Sequence, residues 1–122
     1  MRLNFFNKKE SMTPEAFSGV VRLTIEETRL SAANVESLRM ELSARLAGES
    51  CAILACDRLR FIDSSGLGLL VGLRNRMLDP KLLVLEGISD PTLLELIKLT
   101  RMDQIFTLSA SSKETFSLLK QL

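Results

Sequence analysis

Apolar positions along the chain fall into short runs that predict strands, separated by longer stretches with a helical repeat. In residues 20–25 the apolar side chains alternate, with Val21, Leu23 and Ile25 on one face, as in a half-buried strand. Residues 51–56 are apolar without alternation, which predicts a strand covered on both faces. Further strands are predicted at residues 81–85 and 105–108, with a first edge strand at Leu3, Phe5 and Phe6.

Helices are predicted between these runs. Ser31 is expected to cap the first helix, and Gly48 is expected to end it. Its apolar side chains recur at helical spacing, at Val35, Leu38, Leu42 and Leu46. Asp90 as N-cap and Pro91 at the first helical position open a later helix. That helix faces inward through Leu93, Leu94 and Ile97, and a final helix, capped by Ser111 or Ser112, carries Phe116, Leu119 and Leu122.

The helix after residue 63 has a more ambiguous face. Its predicted inward stripe consists of Leu67, Leu70, Val71, Arg74, Met77 and Leu78. Leu69 and Leu73 fall off this stripe and are expected to be exposed. Exposed leucines would suit a binding face or a contact in a homodimer.

The alternation of strands and helices predicts an α/β protein with an at least partly parallel sheet. The chain has 122 residues, which fits one domain, so residues 1–122 are expected to form a single domain.

Composition narrows the classes of function. Sixteen Lys and Arg residues oppose fifteen Asp and Glu residues, so nothing indicates a nucleic-acid footprint. The chain has no long apolar run, so no membrane insertion is expected. The apolar stretch in residues 1–6 is too short for a secretory signal, so a cytoplasmic location is expected. The absence of His removes the usual general base and the commonest metal ligand.

The two cysteines, Cys51 and Cys56, lie at an odd spacing that places them on opposite faces of a strand. A spacing of five without His is not a zinc pattern. We therefore interpret both as small buried hydrophobic residues, and we expect no metal ion and no cofactor.

One turn carries the candidate chemistry, the segment Asp63-Ser64-Ser65-Gly66-Leu67-Gly68. Asp and Ser can cap a helix there, while Gly66 and Gly68 let the backbone turn and let another surface approach closely. Amide groups and the positive end of the helix dipole would favour a phosphate on a serine at this place, whereas Asp63 would repel it. Plain helix capping explains the same residues, so the turn alone leaves both interpretations open.

With Phe61 and Ile62 before it, this segment resembles the signature of STAS-domain proteins, the anti-sigma factor antagonists. Residues 28–39 are similar to the first strand-to-helix segment of the family. The resemblance extends over about residues 20–120 and includes residues 82–89, 94–99 and 103–106, which are similar to the third strand and the late helix.

The resemblance implies a small mixed sheet with about four helices packed mainly on one side. It also implies that the unphosphorylated domain binds an anti-sigma factor with serine kinase activity, and so releases a sigma factor. The kinase would phosphorylate the serine after the motif Asp, which is Ser64, and a serine phosphatase would reverse the reaction; the domain itself would not be an enzyme. The partner-binding residues implied are Asp63, Ser64, Ser65, Gly66, Leu67 and Gly68, with Ser31.

Three positions depart from the family pattern. Ser31 stands where the family usually has Asp before the first helix, and Ala55 stands where it often has Asp in a strand. Asp57 lies near Ala55 in the chain but out of register, and Arg101 replaces a common Gly. A site without these acids would bind a different kinase or would not be phosphorylated.

Other residues near the turn have two interpretations. Ser65 is a second candidate phosphorylation site or a backbone hydrogen-bonder in the first turn of the helix. Arg58, Arg60, Arg74 and Arg76 form either a basic rim for a phosphate or an acidic partner, or a solvated surface.

Two further functions remain open beside the phosphorylated antagonist. STAS-like domains also serve as accessory subunits of lipid-transport ABC systems and of stress complexes. The absence of the two family acids at Ser31 and Ala55 fits such a subunit slightly better than it fits a phosphorylated antagonist. An enzyme with Asp63 and Ser64 as a catalytic pair is disfavoured, because no His and no third orienting residue accompany them.

Overall fold

The computed structural model describes residues 19–121. In chain order these residues form β1 (Val21–Thr24), β2 (Arg29–Leu30), α1 (Val35–Leu46), β3 (Cys51–Ala55), β4 (Phe61–Ile62), α2 (Ser64–Asn75), β5 (Leu82–Glu86), α3 (Pro91–Leu99), a 3-10 turn (Met102–Gln104), β6 (Thr107–Ser109) and α4 (Ser112–Lys120).

Strands β1, β3, β5 and β6 lie side by side in that order, while β2 and β4 form a separate two-stranded ribbon. Neighbouring strands are parallel and in register, with Leu23 opposite Leu54 and Leu54 opposite Leu85. The predicted α/β class is confirmed. Every strand pair within residues 19–121 is parallel, and the edge strand predicted at Leu3, Phe5 and Phe6 lies outside the described residues.

Helices cover the two faces of the sheet unequally, as predicted. On one face, Leu23, Leu54 and Leu85 belong to a single apolar core with buried residues of α1, α2 and α3. On the other face, Ile53 and Val84 form a smaller cluster against α4. Sheet residues therefore alternate between the two layers, so β3 is buried on both sides.

Helix α1 buries the apolar positions that its spacing predicted, and it ends before Gly48, whose φ of +83° suits a residue without a Cβ. The prediction that Ser31 caps this helix is wrong, because the N-cap is Asn34. Ser31 begins a turn just before the helix, in which its Oγ accepts from Ala33 N at 3.3 Å. Asn34 Oδ1 in turn accepts from Ser31 N at 3.0 Å.

The inward face of α2 is rotated from the predicted stripe. Leu69 and Leu73, expected to be exposed, are 0% and 1% exposed and belong to the main core. Leu78, placed on the inward stripe, is 57% exposed because the helix ends at Asn75. Leu67 and Val71 are only partly buried at the edge of the core. Leu69 and Leu73 are thus core residues and do not form a surface for a homodimer.

A buried polar network links the sheet to α4. Arg22 on β1 forms an ion pair with Glu86 on β5, and both side chains are nearly inaccessible to solvent. Thr115 Oγ1 donates to Glu86 Oε1 at 2.7 Å, and Ser112 Oγ lies 3.3 Å from Glu86 Oε2. Burial raises the pKa of Glu86, but the hydrogen bonds and the Arg22 charge outweigh it, so the pKa lies below its ordinary value.

Candidate functional site

The turn at residues 63–68 follows the two-stranded ribbon. Arg29 lies opposite Phe61 and Leu30 lies opposite Ile62, and the inward side chains of Leu30 and Ile62 are buried. Asp63 N then donates to Leu30 O at 3.1 Å. The ribbon therefore fixes where α2 begins.

Asp63 is the N-cap of α2, as its sequence suggested. Its Oδ1 accepts from Gly66 N at 3.0 Å, and its Oδ2 accepts from Ala32 N at 3.2 Å. The Gly66 amide above all, helped by the amides of Ala32 and Ser65 and by the charge of Arg29, holds the pKa of Asp63 below its usual range. The carboxylate thus joins the start of α2 to the turn before α1.

Gly66 is the close-approach residue of the motif. A Cβ on Gly66 would lie 2.7 Å from both Ile62 Cγ2 and Leu30 O. This distance is shorter than the contacts that Cβ atoms make in proteins, so a side chain does not fit there. A Cβ on Gly68 would meet nothing within 4 Å. Gly66 therefore permits packing inside the fold, whereas Gly68 leaves the outer side of α2 open.

The two serines of the motif differ in exposure. Ser64 is the first residue of α2 and is exposed, whereas Ser65 is half-buried. Ser31 lies near the start of α2 as well. The residue after it, Ala32, donates its backbone N–H to Asp63 Oδ2. The structure thus gathers all seven predicted partner-binding residues at one end of α2, with Ser64 as the accessible hydroxyl of the motif.

The positions that depart from the family pattern differ in their local surroundings. The Ser31 hydroxyl accepts a backbone N–H within its turn, so it holds the turn without a charge. Ala55 ends β3 in the core, while the carboxylate of Asp57 lies against Gly87. Arg101 has φ of +61°, a left-handed conformation that favours Gly.

One contact at the site escaped the sequence analysis. The guanidinium carbon of Arg29 lies 4.1 Å from the centroid of the Phe61 ring, and Phe61 is 39% exposed. Phe61 also lines a cleft of about 150 Å³ between β4 and α3, with Leu93 and Leu96 on its far side. Only the register of β2 with β4 predicts this contact, and strands of two residues leave no periodic signal in a sequence.

Of the predicted basic rim, Arg60 is bound to its own loop. Its Nη1 donates to Asp57 O at 2.8 Å and to Leu59 O at 3.1 Å. Arg58 and Arg76 are exposed, and Arg74 is half-buried. The role of these four arginines as a basic rim stays a prediction.

The cysteines lie in opposite layers, as predicted, but the prediction that both are buried is wrong for Cys51, which is only half-buried. Cys56 belongs to the main core and Cys51 packs at the edge of the smaller cluster, so the two thiols are free. Burial, with the nearby charges of Asp57 and Glu86, raises the pKa of Cys56 to about 12. Across residues 19–121, no three His, Cys, Asp or Glu side chains come together as a metal site.

Comparison with known proteins assigns the family. The model of the STAS domain matches residues 12–115. This chain belongs to the STAS domain family. A search of curated protein sequences gave no significant match.

Solved structures share the fold. An anti-sigma-factor antagonist (STAS) domain protein from Planctomyces limnophilus superposes with a TM-score of 0.75 at 19% identity, over 97% of this chain and 95% of that one. A putative anti-sigma factor antagonist from Thermotoga maritima gives 0.69 at 16% identity, over 81% and 87%. A sulfate transporter family protein from Wolinella succinogenes gives 0.66 at 16% identity, over 85% and 87%. Within the described residues, no helix is long and apolar enough to span a membrane.

Proposed function

We propose that this STAS domain is a cytoplasmic anti-sigma factor antagonist that binds an anti-sigma factor with serine kinase activity and is released by phosphorylation at Ser64. The observation that carries the proposal is the exposed Ser64 hydroxyl at the start of α2, beside the open Gly68. The kinase would transfer the γ-phosphoryl group of ATP to Ser64 Oγ, releasing ADP and the hydroxyl proton. A serine phosphatase would hydrolyse the ester and restore binding.

The expected effect of the modification is electrostatic. A phosphoserine carries about 1.5–2 negative charges at neutral pH, placed at the centre of the proposed interface. A loss of a few kcal/mol of binding free energy corresponds to a ten- to hundred-fold weaker complex, at about 1.4 kcal/mol per decade. In this proposal, a loss of that size at the interface releases the partner.

In this proposal the domain binds and does not catalyse. Both carboxylate oxygens of Asp63 accept backbone hydrogen bonds, and its lowered pKa makes it a weak base. Asp63 is therefore poorly suited to act as a general base for Ser64, which supports a binding role for the domain.

The test uses the kinase-like anti-sigma factor encoded nearest to this gene. We expect the wild-type protein to gain phosphate at position 64 with that kinase and ATP, and Ser64→Ala to gain none. Ser65→Ala is the matched control, because it removes the neighbouring half-buried hydroxyl and should leave phosphorylation intact.

Binding completes the test. Ser64→Ala should retain the anti-sigma factor in a pulldown, and Ser64→Asp should weaken its binding. Stronger binding by Ser64→Asp than by Ser64→Ala would contradict the repulsion mechanism, and absence of both binding and phosphate transfer would contradict the proposed function.

A second candidate is an accessory subunit without phosphorylation, in a lipid-transport ABC system or a stress complex. One observation favours it, the uncharged Ser31 and Ala55 at positions where the family usually or often has acids. Co-purification of the native protein with an ATPase subunit, and not with a kinase, would support this candidate.

A further inference from the structure

The Asp63 carboxylate already interacts with two backbone amides at the start of α2. Gly66 N donates to Asp63 Oδ1 at 3.0 Å, and the amide of Ser65 helps to lower the pKa of the same carboxyl. A helix start binds an anion through its free amide groups, so a phosphate on Ser64 has to share these amides with Asp63. The fixed carboxylate of Asp63 lies next in the chain and repels such a phosphate.

Arg29 is the cation that the fold brings to this place. The parallel register sets Arg29 opposite Phe61, and because Leu30 and Ile62 point inward, Arg29 and Phe61 point outward. The charge of Arg29 is among the causes that lower the pKa of the carboxyl of Asp63, the residue directly before Ser64. The guanidinium is exposed and is held by its stacking on the Phe61 ring.

We propose that Arg29 binds the phosphate on Ser64 and leaves the Phe61 ring to do so. The proposal rests on the proposed function in one respect, that Ser64 is the residue modified. A guanidinium makes paired, charge-assisted hydrogen bonds with a phosphate, which are stronger than its stacking on an exposed phenyl ring. Arg29 thus has two positions, one over the ring and one on the phosphate.

The exchange changes the surface as well as the charge. Phe61 lines the cleft that also contains Leu93 and Leu96. When Arg29 leaves, the outer face of the ring becomes exposed next to that cleft. A phosphate on Ser64 therefore alters an aromatic surface on β4, so a partner can recognise the modified state by more than repulsion.

The test requires no kinase. Phosphoserine is incorporated at position 64 during translation, and the second pKa of its phosphate is measured by phosphorus NMR titration. We expect this pKa to be about half a pH unit higher in the phosphorylated Arg29→Gln variant than in the phosphorylated protein that keeps Arg29, because the arginine favours the more negatively charged phosphate. Arg58→Gln is the matched control, since it removes an exposed arginine from the loop before β4 and should leave the pKa unchanged.

A second measurement follows the ring. The Phe61 ring resonances should differ between the serine and phosphoserine proteins when Arg29 is present, and should agree when residue 29 is Gln. An equal phosphate pKa with and without Arg29, or an equal shift with Arg58→Gln, would overturn the proposal. Because the phosphate is supplied by translation, a negative result here leaves the kinase test unaffected, and a missing kinase leaves this test intact.

Discussion

Gly66 and Gly68 are separated by one residue, and their surroundings differ. Gly66 packs against the backbone and side chain of Leu30, whereas Gly68 faces open space on α2. From the sequence alone, the same role is predicted for both glycines, namely to let the backbone turn and to let another surface approach. The two glycines differ in role because only Gly66 lies where the β2–β4 ribbon contacts α2. The sequence does not show this contact, because it joins residues more than thirty positions apart.

Alanine at these two positions should change stability in opposite directions. Gly66→Ala should lower the free energy of unfolding by about 1–3 kcal/mol, because the added carbon overlaps Ile62 and Leu30. Gly68→Ala should raise it by up to about 1 kcal/mol, because Ala is the better helix former and the site is open. Urea denaturation measures both, and a loss of similar size in the two variants would contradict this account.

At the scale of elements, α2 shows how far periodicity determines packing. The predicted stripe places Leu70 and, beyond the end of the helix, Met77 correctly in the core, and it assigns Leu69 and Leu73 to the wrong side. A helix rich in Leu and Gly has several nearly equivalent apolar faces. The contacts with α1 and the sheet then select one of them. In α1, by contrast, polar residues separate the apolar ones, and the pattern predicts every buried position.

A truncation in α2 tests this assignment. Leu73→Ala should lower the free energy of unfolding by about 2–5 kcal/mol, the range for a buried leucine. Leu78→Ala removes the same atoms from an exposed position and should change stability by less than about 0.5 kcal/mol. Similar values for the two variants in urea titrations would place Leu73 on the surface, where the sequence analysis put it.

At the scale of the whole molecule, the Arg22–Glu86 pair ties β1, β5 and α4 together. The sequence gives little sign of it, because a charged residue inside a strand usually indicates a solvent-facing position. Arg22 and Glu86 lie on strands that are separated by β3, so their contact depends on the complete sheet order. The α/β class, in contrast, was predictable from the alternation of elements, and the STAS fold was implied by the resemblance of residues 20–120 to that family.

This pair predicts how stability depends on pH. The folded-state pKa of Glu86 lies below its ordinary value of 4.5, so its contribution is present above that value and is lost as the pH falls through the folded-state pKa. The Arg22→Met/Glu86→Gln double variant should show a flatter decline in stability below pH 4.5. Thermal melts between pH 3 and 7, about the range in which Glu titrates, measure the slope.

Arg39→Met/Glu36→Gln is the control for this measurement, because it neutralises a surface pair with the same loss of charges. If the buried double variant loses stability with acid as steeply as the wild type, another group governs the acid sensitivity.

The two hydrogen bonds that Asp63 accepts from backbone amides affect how such domains would evolve. Asp63 and Gly66 support the turn itself through hydrogen bonds and close packing, whereas the Ser64 side chain is exposed. A gene copy that lost its kinase would therefore keep the Asp and the Gly under selection for folding, while position 64 would be free to drift. In a collection of related chains, the residue at position 64, read together with residue 29, would then separate switching copies from silent ones.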